Sequence, residues 1–129
     1  KEAFLTQAAT PTAAAKARYW EQYLQLGEPP EQWTQDSLGY FHWARQEALT
    51  LPYLRRALEQ VDWVKQNRRI FFMPAWLDAF VNGHSSTEAL AVVDAFLAET
   101  ELSDDVRRKL LQSRDGLARA VRIREAFAK

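Results

Sequence analysis

The chain contains no cysteine, only four glycines, two histidines and one methionine among its 129 residues. The missing thiols exclude a disulfide scaffold, a thiolate zinc site, an iron–sulfur cluster and a cysteine nucleophile. Scarce glycine leaves little from which to build a phosphate cradle, and neither G-x-x-x-x-G-K-[ST], G-x-G-x-x-G nor the G-x-S-x-G elbow occurs. Charge of one sign is also missing: 17 Lys and Arg balance 17 Asp and Glu, which argues against binding nucleic acid or anionic membrane by bulk charge. No apolar run approaches the roughly 18 residues of a membrane span. The first residues, Lys1-Glu2-Ala3-Phe4-Leu5, show neither an initiator Met nor a signal-peptide pattern, so a piece of a larger protein is expected.

What remains is a helix-forming composition. The length suits one domain, and abundant Ala, Leu, Glu, Gln and Arg with 47% hydrophobic residues favour helix nearly throughout, with no strand candidate. Residues 1–8 read as the end of a preceding helix. Thr10-Pro11 then reads as a cap and first-turn proline opening a helix over 10–26, with Ala13, Ala17, Trp20 and Leu24 on its apolar face and Gly27 as its stop. Helices are expected over 31–43 after Pro29-Pro30, over 52–62 with Pro52 at its start, and over 65–82. The last of these carries the stripe Ile70, Met73, Leu77, Phe80 and Val81, with a kink or break just before Pro74. Ser85-Ser86-Thr87-Glu88 has capping-box spacing and starts a helix over 86–98; Ser103-Asp104-Asp105 caps the last, over 103–127.

Six to eight helices joined by loops of about two to seven residues should pair consecutively as hairpins. The pattern fits a compact bundle or stacked pairs of the armadillo or HEAT kind, and no fixed repeat period separates the two.

Convergent catalytic groups are absent. His42 and His84 lie on different elements with no second ligand at metal spacing, and read as surface or rim histidines. Asp104 and Asp105 are explained by capping. Residues 103–129 hold eight Lys and Arg against four Asp and Glu, so a basic closing helix follows an acidic body; its arginines do not form one stripe, and the acidic remainder of the molecule or a neighbouring domain is their expected partner. Arg114 shares the apolar side of that helix with Leu110, Leu117 and Val121. It either meets an Asp or Glu of an adjacent helix or faces a cavity where it could hold a carboxylate. Sixteen aromatic residues read mainly as core, with Tyr40, Trp43 and Trp63, near helix ends, as candidates for a contact surface.

From about Ala9 to Phe127 the chain resembles the C-terminal helical region of zinc aminopeptidases of the aminopeptidase N type, bacterial gluzincin metallopeptidases. Pro11 to Trp20, with Lys16 four residues before the tryptophan, is similar to that family's proline-acidic-alanine-lysine-tryptophan helix. Gly39-Tyr40-Phe41 and Gln46-Glu47-Ala48-Leu49-Thr50-Leu51-Pro52-Tyr53 resemble its glycine-phenylalanine and glutamine-glutamate-leucine-x-x-proline-tyrosine stretches. Asp94-Ala95-Phe96-Leu97, Arg107-Arg108-Lys109-Leu110-Leu111, Arg114-Asp115, Ala118-Arg119-Ala120 and Arg122 follow the closing helices in order and spacing. Phe80-Val81-Asn82-Gly83 departs from the family's usual leucine-phenylalanine-proline turn.

The resemblance implies an all-α, right-handed superhelix of antiparallel helix pairs that closes over a catalytic domain, walls an internal chamber and admits peptide ends. Zinc, the H-E-x-x-H motif and the G-x-M-E-N motif would lie in that other domain of the same polypeptide. No catalytic or metal-binding residue carries over to this chain, and Arg114 is the one candidate chamber-facing group. The implied partners are the catalytic domain and peptide substrates, with no nucleic acid and no membrane; the implied location is cytoplasmic, which a thiol-free chain fits. The other reading is a stand-alone helical adaptor that binds protein partners through its aromatic helix ends.

Overall fold

The computed structural model describes residues 1–128. Those residues form eight helices and no strand: α1 (Glu2–Ala8), α2 (Ala13–Tyr23), α3 (Glu31–Phe41), α4 (Glu47–Glu59), α5 (Val61–Asn67), α6 (Phe72–Asn82), α7 (Thr87–Glu99) and α8 (Asp104–Ala128). The all-α class and the helix number agree with the sequence pattern. The expected hairpin pairing holds only in part. Many of the main contacts skip one or two helices: α1 packs on α3, α3 on α6 and α6 on α8 in one row, while α2 meets α4 and α4 meets α7 in a second. The rows are joined where α2 touches α3, α4 touches α6 and α7 touches α8, with α5 against α6.

The core centres on α6, whose Phe72, Trp76, Leu77, Phe80 and Val81 are fully buried. Trp76 meets Phe80, Trp20 and Tyr23 with ring centroids 4.5 to 5.9 Å apart, the first two tilted and Tyr23 edge-on. Its indole N–H donates to the Ala57 carbonyl at 2.9 Å, so the polar atom of the largest core ring is satisfied. Tyr23 solves the same problem differently. Its hydroxyl donates to Ser37 Oγ at 2.9 Å, and Ser37 passes its own proton to the Thr34 carbonyl at 2.7 Å.

Several boundaries differ from the sequence reading. The cap of α2 is Thr12, whose Oγ1 accepts from the Ala15 amide at 3.2 Å, so Thr10-Pro11 precedes the helix. Its buried face is Ala15, Lys16, Tyr19 and Tyr23; the expected members Ala13 and Ala17 are exposed. Pro52 does not open α4 but lies inside it, where its missing N–H costs a helix hydrogen bond. Tertiary contacts hold the preceding turn in place: the Gln46 side-chain Nε2 donates to Ala9 O, and Glu47 binds the backbone just before α7. The expected break before Pro74 is present, since α5 stops at Asn67 and α6 starts at Phe72. Ile70 therefore leaves the stripe and is 82% exposed in the intervening turn.

That turn is shaped by Arg68, a buried cation. Its NH2 group donates to the carbonyls of Tyr23 and Gln25, both at 2.8 Å, at the C-terminal end of α2, and Glu31 stands 3.5 Å from NH1. Lys16 plays the same part elsewhere. It is completely buried, and its Nζ donates to Ala8 O at 2.7 Å and Phe41 O at 2.8 Å, the last residues of α1 and α3. Both cations sit where helix dipoles and orphan carbonyls concentrate negative charge.

Candidate functional site

The most developed concavity lies where the α3–α4 connection, the α6–α7 connection and the second half of α8 meet. It encloses about 540 Å³ and is lined by His42, Trp43, Arg45, Glu47, Asn82, His84 and Arg124, among others. The chain reaches it through unusual local structure. Helix α3 ends at Phe41 with His42 as its cap, and Arg45 takes φ 66°, the left-handed region that costs a side-chain-bearing residue about 1–2 kcal/mol.

The two histidines, expected apart at the surface, meet here with ring centroids 5.6 Å apart. His84 is 3% exposed; its Nδ1 faces the Phe80 carbonyl at 2.8 Å and its Nε2 the Thr50 hydroxyl at 3.2 Å. A carbonyl only accepts, so Nδ1 carries the proton and Nε2 takes the Thr50 hydrogen. His42 Nδ1 likewise donates to Leu38 O at 2.9 Å, which leaves Nε2 a bare acceptor, enclosed and unpartnered. Burial pushes the His42 imidazole down to about 3, despite its bond to Leu38, with the nearby His84 and Lys16 acting the same way. Burial also lowers His84, against the pull of the Phe80 carbonyl and the Glu47 charge. Both rings are neutral at pH 7. The sequence misses this pairing because the residues are 42 positions apart; glycine supplied the only signal. A Cβ on Gly83 would lie 2.7 Å from His42 Cγ, so the ring rests on bare backbone.

Glu47 organises the wall opposite. Its Oε1 accepts the amides of Ser85 and Ser86 at 2.9 and 3.1 Å, and its Oε2 stands 3.2 Å from Arg124 NH1. Burial would raise this carboxyl, but the hydrogen bonds and the nearby imidazole hold it below the usual range. The expected Ser85–Glu88 capping box gives way to this arrangement. Ser86 Oγ caps α7 by accepting from the Ala89 amide at 3.1 Å, while Glu47 takes the free donors from outside.

Both nitrogens of His84 and Nδ1 of His42 are committed to the protein, and Ser85 Oγ is engaged by Arg124. No group of three His, Cys, Asp or Glu side chains among the described residues could hold a metal ion. Among the described residues the donor set therefore does not fit zinc.

Arg114 lies outside this cavity. Its Nε and NH2 fork onto the two oxygens of Asp94 on α7, at 2.9 and 3.2 Å, and lower that carboxyl. Of the two partners left open for it, an acidic residue of an adjacent helix is the one present. Lys109 pairs with Asp78 at 2.9 Å, so the basic helix does meet the acidic body at three points, counting Arg124 with Glu47. Tyr40 and Trp43 stack with ring centroids 5.4 Å apart, and Trp43 is 53% exposed; Trp63 is partly buried against the core. No helix among the described residues is long and apolar enough to cross a membrane.

No family model matches the chain. It is 28% identical over 130 residues to an aminopeptidase N of Streptomyces lividans, an alignment that covers 99% of this chain and 15% of that protein. The chain thus spans a small part of the length of the curated relative it matches, and the likeness is consistent with a piece of an aminopeptidase N.

Proposed function

We propose that this chain is the helical domain of a zinc-dependent aminopeptidase that removes N-terminal residues from peptides. In this reading it is a right-handed superhelix that caps the active-site chamber and controls which substrates enter, and it performs no catalysis of its own. The observation that carries the reading is the alignment of nearly the whole chain with 15% of an aminopeptidase N. Zinc would then belong to a catalytic domain of the same polypeptide, its peptide substrates would be the enzyme's, and the location would be cytoplasmic.

Arg114, 32% exposed beside Asp94, is the residue proposed to face the chamber. An Arg114→Ala enzyme with unchanged KM for peptides of every length would remove it from the reading. The function itself is tested on the gene. The reading frame that contains Lys1 should encode H-E-x-x-H and G-x-M-E-N, and its product should hydrolyse aminoacyl chromogenic substrates, whereas the 129-residue chain with added zinc should release nothing. A frame without those motifs, or turnover by this chain alone, overturns the proposal.

A further inference from the structure

We propose that the cavity between the α3–α4 and α6–α7 connections binds a small oxyanion carried on a flat apolar group. Arg45 and Arg124 are its counter-charges and Trp43 is its apolar wall. This inference does not depend on the peptidase reading, since every group it uses is in this chain.

Charge on the cavity wall is the first argument. Two arginines and one carboxylate line it, and the two imidazoles beside them are neutral. Glu47 is spent: one oxygen holds two backbone amides and the other holds Arg124. Arg45 has no ion-pair partner among the described residues. The wall therefore carries one positive charge in excess, held on two arginines that remain accessible from solvent. A singly charged oxyanion neutralises it, and a guanidinium recognises carboxylate and phosphate oxygens alike through paired N–H donors.

Backbone geometry is the second. Arg45 sits at φ 66° in a loop with no glycine, where a less costly turn residue would serve if only a turn were needed. Strain of this kind concentrates where side-chain placement matters. The third argument is shape. Trp43 is half exposed on the rim of a 540 Å³ recess, and its stack on Tyr40 fixes the ring as a rigid platform. A planar group laid on that indole places an attached anion within the recess that Arg45 and Arg124 line. Outer arginines of α8 such as Arg119 offer charge without a recess, which makes them the natural control.

The test is a titration of the 15N-labelled 129-residue chain at low salt, following the Trp43 indole and the Ser85 amide. Benzoate and phenyl phosphate should give saturable shifts at these two positions, and the tighter of the two identifies the oxyanion. Acetate and inorganic phosphate, which lack the ring, should bind at least severalfold more weakly. Benzamide, which has the ring without the charge, should not saturate. Arg45→Gln should weaken benzoate about tenfold, the loss of one modest charge contact. Arg45→Gly, which relaxes the backbone, should do the same with an undiminished melting temperature, and Arg119→Gln should change nothing. Absence of saturable shifts, equal binding of benzamide, or an unchanged affinity in Arg45→Gln and Arg45→Gly overturns the proposal. So does equal weakening by Arg119→Gln.

Discussion

The N-terminal body and the closing helix both use cations, in opposite ways. In the body, Lys16 and Arg68 are buried and donate chiefly to backbone carbonyls at the ends of α1, α2 and α3. On α8, Lys109, Arg114 and Arg124 stay near the surface and pair with carboxylates of α6, α7 and α4. The first kind stands in for helix caps that the sequence does not supply locally, and removing it strands several buried acceptors at once. The second kind exchanges hydrated charges for a screened pair, which contributes little. The same residue types therefore carry very different weight, and the side-chain environment decides which.

The contrast is broken most directly at Arg68. Arg68→Ala leaves the Tyr23 and Gln25 carbonyls without the Arg68 donor and Glu31 without its buried counter-charge, and should lower the unfolding free energy by about 3 kcal/mol, read from urea denaturation. Lys16→Met keeps the length and apolar stem but loses both hydrogen bonds. It should cost about 1–2 kcal/mol at pH 7, less than the bonds alone because the desolvated charge goes with them.

The pH dependence of Lys16 sharpens the point. Burial lowers its ammonium from 10.5 to about 8, so between those values the unfolded chain binds more protons than the folded one. Stability from this group thus rises with pH across that window, and the Lys16→Met chain should lack the rise. His42 acts at the acid end with the same sign. Its ring stays neutral in the fold down to about 3, whereas the unfolded ring protonates near 6.5. Stability falls as the pH drops through 6.5, before the carboxylates titrate, and His42→Asn should flatten the fall in melting temperature between pH 6.5 and 4.5. The smallest effect belongs to α8. Arg114→Ala should cost no more than about 1 kcal/mol, and high salt should erase most of the difference.

Helix existence is legible in the punctuation: Pro29-Pro30, the break before Pro74, Asn82-Gly83 and Ser103-Asp104-Asp105 each fall at or next to a real boundary. Errors arise where tertiary contacts override local signals. Pro52 marks a helix start only if nothing else holds the turn before it, and Gln46 and Glu47 do so through residues 37 and 38 positions away. Ile70 fits a helical stripe by spacing, yet Arg68 draws the chain off that path. Polar residues conceal the buried face of α2, since Lys16 and Tyr19 look solvated until their acceptors on other helices are known. The cavity is the least legible part. His42 and Glu47, at the α3–α4 connection, converge with His84 and Arg124 from two further segments, and none belongs to a catalytic or metal-binding motif. Arg114 was readable as far as its need for an anion, and Asp94 meets that need.

The arrangement in which contacts skip a helix bears on how the chain is made. Helix α6 is the sixth of eight in order of synthesis, yet it contributes five of the fully buried core side chains. A nascent chain emerging at the ribosome exposes the rings of Trp20, Tyr23 and Phe41 until α6 arrives to cover them. Its first five helices are thus a waiting partner surface, and the interval between residues 67 and 82 is when a chaperone would have most to hold.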